Sequence, residues 1–421
     1  MKIARLNAAL VLGLTFALAG CSAGASDDPS DDGSEDALTK APSTKSLVSG
    51  NTEFATDLYG ELAKGNDNVF FSPYSVSAAL SMTYAGAKTG TAAAMKGTLH
   101  LPSGDVHKAW KSLAAELAKR NDVSGASEGD AFQLSMANAL FGEKTQSFKS
   151  TFTGTVKANY GAGLELADFL HKADAERQRI NGWVETETHD KIKNLLPQGI
   201  ITADTKLVLV NAIYFKASWD KAFKTANTSK EKFTTKSGAK VDADMMYETE
   251  HLDYAAGSDY EAVAVPYLGK DVELLAIAPK AGKFASFESS FDAQKLNEIR
   301  QGMASARVNL GLPKFKIAGA SVKLKDALGK LGMGVAFSDD ADLSGITGKS
   351  DTKIADVVHK AFIGVDEKGT EAAAATAVVI VAKSAMPKPP VNLTLDRPFI
   401  FAIRDIPTGT ILFLGRVTDP S

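Results

Sequence analysis

Residues able to do covalent chemistry are few in this chain, and their spacing gives an enzyme little support. Ser127 stands in Gly125-Ala126-Ser127-Glu128-Gly129, a match to the G-x-S-x-G elbow that exposes a nucleophilic serine between a strand and a helix. Asn121, Asp122 and Ser124 precede it where an apolar strand is needed, and Gly129-Asp130 ends it, so the segment reads as a loop. The six histidines are scattered, with no H-E-x-x-H and no clustered metal spacing. No phosphate loop or dinucleotide fingerprint occurs, and no cofactor or metal is expected. Lys108, Lys111, Lys119 and Arg120 offer a small basic face to a polyanion, but an ordinary solvated helix accounts for them.

A different kind of chemistry is suggested by residues 369–390, GTEAAAATAVVIVAKSAMPKPP. Helix-favouring alanines come first, then strand-favouring valines and isoleucine, then a lone lysine before a proline-rich break. No ordinary surface loop needs that composition.

The rest of the chain must position such a segment. Its 421 residues are 44% hydrophobic and 23% charged, ordinary values for a soluble protein with a developed core. Length alone suggests more than one domain, but no linker or repeat marks a seam. The formal net charge of −3 gives no electrostatic reason to expect nucleic acid as a partner. Residues 1–20 carry Lys2 and Arg5 ahead of an apolar stretch too short to span a membrane comfortably, as in a secretion signal. The stretch ends in Leu18-Ala19-Gly20-Cys21, which resembles the bacterial lipoprotein box, with Cys21 as the acylated residue. Cys21 is the only cysteine, so the exported body must stand on packing without disulfides. Residues 21–45 are acidic, with Leu38 their one large apolar side chain, and are expected to form a tether of roughly 27 Å if they behave as a flexible coil. Ser22 after the acylated cysteine points to outer-membrane sorting in a Gram-negative cell, with a periplasmic or surface location.

From residue 46 onward, helical and strand patterns mix. Phe54, Leu58 and Leu62 recur every fourth residue, with Gly65 closing the helix. Ser72-Pro73 reads as a helix entry after a short apolar strand. A polar helix is expected over Val106 to Arg120, and Ile180, Trp183, Val184 and Thr188 line one face of another. KLVLVNAIYFK, residues 206–216, is almost continuously apolar, as in a strand covered on both faces. EAVAVPY, DVELLAIAP, ARVNLGLPKFKI, VVHKAFIGVD, RPFIFAIRD and GTILFLGRV also read as strands, and SVKLKDALGKLG as a helix through Leu324, Leu328 and Leu331. The body is α+β.

Several of these stretches, in order, resemble the serpins: NVFFSPYSVSAALSMTYAGA, INGWVETETHDKI, LVLVNAIYFKASW, LPKFKI, LGMGVAFSDDADLSGI, VVHKAFIGVDEKGTEAAAATA and RPFIFAIRD. The similarity runs from about Asn51 to Val417. It implies one domain over 46–421 with three β-sheets, about nine helices and an exposed reactive-centre loop near 367–392. Glu367, Lys368, Gly369, Thr370, Glu371 and Ala372, Ala373, Ala374 and Ala375 match the hinge of inhibitory members. Counting on from Gly369 as the family pattern does puts the bait at Lys383 and the scissile bond at Lys383-Ser384.

The resemblance implies a non-enzymatic inhibitor of serine proteases, monomeric, forming a covalent complex with its target. Lysine suits a trypsin-like enzyme, whose pocket aspartate pairs with a long cation. Ala382 or Ala385 would instead suit elastase-like or subtilisin-like enzymes or a cysteine protease, and the further alternative is a non-inhibitory serpin-fold binding protein. In such a family the cut loop inserts as a new central strand, and alternation puts Thr370, Ala372, Ala374, Thr376, Val378 and Ile380 on one uncharged face. At two ladder bonds per inserted residue, the gain is on the order of 20 kcal/mol before ordering costs. Ser75, Asn211 and His359 match the polar cluster where the sheet must part, and Lys314 and Glu367 match an exposed salt bridge at its top beside Trp219.

The lipoprotein reading predicts that the wild-type chain takes up labelled palmitate in a bacterial host and partitions with membranes. Cys21→Ser abolishes both.

Overall fold

The computed structural model describes residues 42–121, 133–161, 163–318, 321–370 and 389–421. Helix α1 (Thr44–Leu62) starts upstream of the Phe54 repeat because Ser43 caps it, accepting the Ser46 amide. Phe54 and Leu58 are buried at their four-residue spacing, and Gly65 follows with φ +98°. After strand β1 (Val69–Phe71), Ser72 caps α2 (Pro73–Tyr84) by accepting the Ser75 amide. Pro73 takes the first helical position, where a missing amide hydrogen costs nothing. Next come α3 (Thr89–Thr98) and α4 (Val106–Ala118). Around α4, Lys108 pairs with Asp105, Lys119 with Glu116 and Arg120 with buried Asp405, so most of the basic face is already paired.

The chain continues through β2 (Gln133–Glu143), α5 (Ser150–Tyr160), β3 (Leu164–Ala167), α6 (Phe169–Glu187) and β4 (Leu207–Ser218). It then forms β5 (Thr228–Thr234), β6 (Lys240–Ala256), β7 (Tyr260–Pro266), β8 (Val272–Pro279), α7 (Phe284–Ser289), α8 (Ala293–Gln301) and β9 (Ala304–Pro313). The last part holds β10 (Phe315–Ala318), β11 (Val322–Lys323), α9 (Lys325–Leu328), α10 (Ser344–Thr347), β12 (Val357–Asp366) and β13 (Gly369–Thr370). β14 (Val391–Thr394), β15 (Phe399–Asp405) and β16 (Ile411–Val417) close it.

One sheet runs β10-β12-β13-β4-β2-β3, with β11 also on β12; the other runs β1-β16-β15-β8-β7-β6-β9-β14, with β5 on β6. The expected α+β fold is present, but among the described residues hydrogen bonding joins the strands into two networks, not the expected three sheets, because β6 runs on from β5 to β7. The first sheet has a core on each face. Ile213 and Phe215 of β4 enter the main cluster, whereas Val210 and Ala212 meet Ile180 and Val184 of α6. That placement explains the nearly continuous apolar run of β4, interrupted at Asn211.

Two expectations change. The helix expected through Leu324, Leu328 and Leu331 ends as α9 at Leu328 and passes into a π turn over Gly329–Met333, where Gly332 has φ +109°. A glycine-rich stretch cannot hold regular helix against that turn. ARVNLGLPKFKI is two strands in two different sheets, broken at Lys314, whose amide donates to Asp244 O at 2.8 Å.

Phe141 of β2 is fully buried beneath α6, edge-on to Trp183 with centroids 5.6 Å apart. Phe141→Ala is expected to destabilise the protein by about 3–5 kcal/mol, read as a fall in calorimetric melting temperature.

Candidate functional site

The centre of the seven-stranded sheet is a fork. Low in the sheet, β12 pairs directly and in parallel with β4, from Val357↔Leu209 to Phe362↔Tyr214. Higher up, β13 sits between them and is antiparallel to both: Thr370 lies opposite Val365 and Ala217, and Gly369 opposite Asp366 and Ser218. Gly369 and Thr370, the first residues of segment 369–390, therefore occupy the top of a slot whose lower part is closed.

Gly369 is required there. Its φ is +149°, and a Cβ would lie 2.2 Å from Ala217 O. Thr370 is fully buried and shares a 2.8 Å hydrogen bond with the Tyr267 hydroxyl. Burial pushes the Tyr267 phenol up, so it stays protonated. Tyr267 stacks on Trp219, centroids 4.5 Å apart, and Trp219 Nε1 donates to Asp366 O at 2.9 Å. Backbone bonds complete the seat: the Trp219 amide donates to Lys368 O at 2.9 Å and the Phe223 amide to Glu367 O at 2.8 Å.

Lys314 and Glu367 meet at 2.9 Å, but the pair is not the exposed one expected, since Lys314 is 37% exposed and Glu367 only 11%. Thr228 Oγ1 also donates to Glu367 at 2.9 Å. Burial raises the Glu367 carboxyl, but donors from Lys314, backbone and Thr228 outweigh it and hold it below the usual glutamate range.

Beneath the fork, Ser75, Asn211 and His359 come together. Register places Asn138 of β2, Asn211 of β4 and His359 of β12 side by side across three strands. Asn211 Nδ2 donates to Ser75 Oγ at 2.6 Å and to Asn138 Oδ1 at 2.8 Å, and Ser75 Oγ donates to Asn138 Oδ1 at 3.1 Å. The Ser72 amide donates to His359 Nε2 at 3.1 Å, which leaves Nδ1 to carry the proton and donate to Asn211 Oδ1. Parting β4 from β12 breaks that last bond.

Sequence reasoning missed Asn138, Ser72, Tyr267 and Thr228. Asn138 was visible as a polar residue inside an apolar strand, but its partner depends on register. Of the expected site residues, Glu371, Ala372, Ala373, Ala374, Ala375, Ala382, Lys383, Ser384, Ala385 and Cys21 lie outside the described residues, as does Ser127.

His359 is fully buried, and burial lowers its pKa from 6.5 to about 3. The unfolded chain takes up this proton first, so the stabilisation is complete above pH 6.5 and is lost as pH falls from 6.5 toward 3. His359→Asn is expected to start less stable but to lose stability less steeply between these values, by up to about 1.4 kcal/mol per pH unit. Melting temperatures across that range check it.

The same architecture recurs in known proteins. Uncleaved ovalbumin matches with a TM-score of 0.78 at 28% identity, covering 89% of this chain and 100% of that one. The native thermophilic serpin tengpin matches at 0.79 and 28%, covering 90% and 96%. In sequence, the chain is 38% identical to Serpin B4 of Homo sapiens over 398 residues, covering 89% of this chain and 100% of that protein. It is 39% identical to leukocyte elastase inhibitor A of Mus musculus over 389 residues, with the same coverage. A model of the family described as serpin (serine protease inhibitor) matches residues 49–420. With that match and the fork in its central sheet, the chain belongs to the serpin family.

Proposed function

We propose that this chain inhibits trypsin-like serine proteases as a suicide substrate, by cleavage at Lys383-Ser384, insertion of the cut loop between β4 and β12, and trapping of the acyl-enzyme. The observation that carries the reading is the seated hinge. Continued downward in the register of Thr370, Ala372 to Ile380 would meet Phe215 to Leu207 of β4, and Ala372 to Val378 would meet Ile363 to Val357 of β12. The face shared with Thr370 is uncharged and enters the main core, which suits Ala372, Ala374, Thr376, Val378 and Ile380. Glu371 would fall on the other face.

Energetics support insertion at a smaller yield than composition alone suggests. One parallel ladder between β4 and β12 must break before two antiparallel ladders replace it. The net gain is then nearer one bond per inserted residue, on the order of 10 kcal/mol. That is still ample to drag and distort a bound protease. Ser75, Asn211 and His359 act as the catch on sheet opening, and Lys314, Glu367 and Trp219 as the control at its top.

The names of relatives favour a second reading. Leukocyte elastase inhibitors match this chain at 37–39% identity, so cleavage after Ala382 or Ala385 by an elastase-like enzyme is the alternative. We place the protein on the cell envelope through Cys21, as its lipoprotein box supports.

Incubation with trypsin is expected to give an SDS-resistant complex as heavy as both partners and a carboxyl-terminal peptide beginning at Ser384. Cleavage with no complex overturns the inhibitor reading, and a complex with elastase alone moves the bond to an alanine. Thr370→Arg puts a charge into a fully buried position and is expected to turn the inhibitor into a substrate: cleavage persists and the complex is lost.

A further inference from the structure

The seven-stranded sheet gathers lysines on the face it turns toward α6. Val358 of β12 and Val210 of β4 pack beneath that helix. Strand alternation then puts Lys360, Phe362 and Gly364 of β12 and Lys216 of β4 on the same side. Register adds Lys316 of β10, opposite Gly364, and Lys323 of β11, opposite Val358. The loop after α6 supplies Lys191, whose Nζ lies 5.9 Å from the centre of the Phe362 ring, and Lys193, whose carbonyl accepts from Lys360 Nζ at 3.0 Å. Lys316 Nζ approaches the same ring at 5.2 Å.

Few carboxylates answer them. Glu185 takes Lys193 at 2.7 Å, with Asp190 near it, and Asp366 at the top of the face accepts the Lys368 amide at 2.8 Å. Around β10, Lys314 takes Glu367, Lys232 takes Asp242 and Lys230 faces Asp244. Lys216, Lys316, Lys323 and Lys360 form no ion pair among the described residues. Lys360 is half-buried, and burial lowers its ammonium from the ordinary lysine value. Like charges gathered in this way repel one another, and an incoming anion relieves the repulsion. The basic side of α4 differs, because Lys108, Lys119 and Arg120 there already have their carboxylates.

We propose that this face binds a linear polyanion of phosphate or sulfate groups, lying across the seam where β4 meets β12. Lys216 stands on one side of the seam, and Lys316 and Lys360 on the other. Lys216 and Lys316 are three strand spacings apart, roughly 14 Å, and the rows of Lys316 and Lys323 are separated by roughly 20 Å of strand rise. A single inorganic ion cannot reach across those spans, whereas a chain of anionic groups can. An occupant so placed ties the β4 side of the sheet to the β12 side. Binding is independent of the inhibitor reading, since no protease enters its test.

Calorimetric titration of the full chain with short-chain inorganic polyphosphate, and separately with a dextran sulfate oligosaccharide, tests the proposal. Saturable binding that weakens steeply with added salt is expected for at least one of them, and the tighter of the two names the anionic group. Lys216→Gln and Lys316→Gln, one on each side of the seam, are each expected to weaken binding about threefold and together about tenfold. Lys111→Gln on α4 leaves it unchanged. Melting curves establish that each variant is folded, and Lys316→Gln, at an exposed position, decides the matter should Lys216→Gln fail to fold. No binding of either polyanion at low salt, or a loss through Lys111→Gln as large as that through Lys316→Gln, overturns the site. A folded Lys216→Gln chain that binds as tightly as the wild type also overturns it, because the occupant would then not cross the seam.

Discussion

The parallel ladder between β4 and β12 is the constraint on which the rest of this structure depends. It closes the middle of a sheet with a single set of hydrogen bonds, Val357–Phe362 against Leu209–Tyr214. Across it lies one polar rung, Asn138–Asn211–His359, bolted to α2 through Ser75 and Ser72. A buried polar network with every member satisfied rigidifies a core, and one that loses a member becomes expensive. Placing this network across the seam makes the seam secure at rest and unfavourable to open partway.

Above the seam the same sheet is already parted. Gly369 and Thr370 hold β4 and β12 aside with antiparallel bonds on both edges. That short wedge needs a residue without Cβ at one position and a small hydroxyl at the next. Tyr267, held flat against Trp219, supplies the partner for that hydroxyl. The ion pair of Lys314 with Glu367 sits where β9 breaks into β10, so a bend in one strand becomes an anchor for the hinge of another. On the insertion proposed above, each further residue entering the slot would exchange one parallel bond set for two antiparallel ones.

With no disulfide available, packing must supply the stability that this arrangement spends. The two clusters on the faces of the sheet share β4, whose side chains alternate between them. α2 is buried along nearly its whole length; Ser72 caps it and Ser75, in its first turn, joins the network. The stretch of β6 from Tyr247 to Leu252 is a local departure, since among the described residues no strand pairs with one of its edges where it passes from β5 to β7.

Much of the fold was legible from order and period. Ser72-Pro73, the fourfold spacing in α1, the apolar run of β4 and the burial of His359 alternating with Ala361, Ile363 and Val365 all follow from local rules. β6 escaped notice because its side chains are largely polar and half-exposed, so neither alternation nor an apolar run marks it. The glycines after Leu328 concealed where α9 stops. By itself the sequence determined which residues can be buried and that 369–390 carries two incompatible propensities in one segment. Only the tertiary structure decided that Asn138 faces Asn211, that Thr370 meets Tyr267 and that β4 touches β12 below the hinge. Such pairings are set by the register of strands far apart in the chain, and register is fixed by the packing of whole faces rather than by any local run of residues.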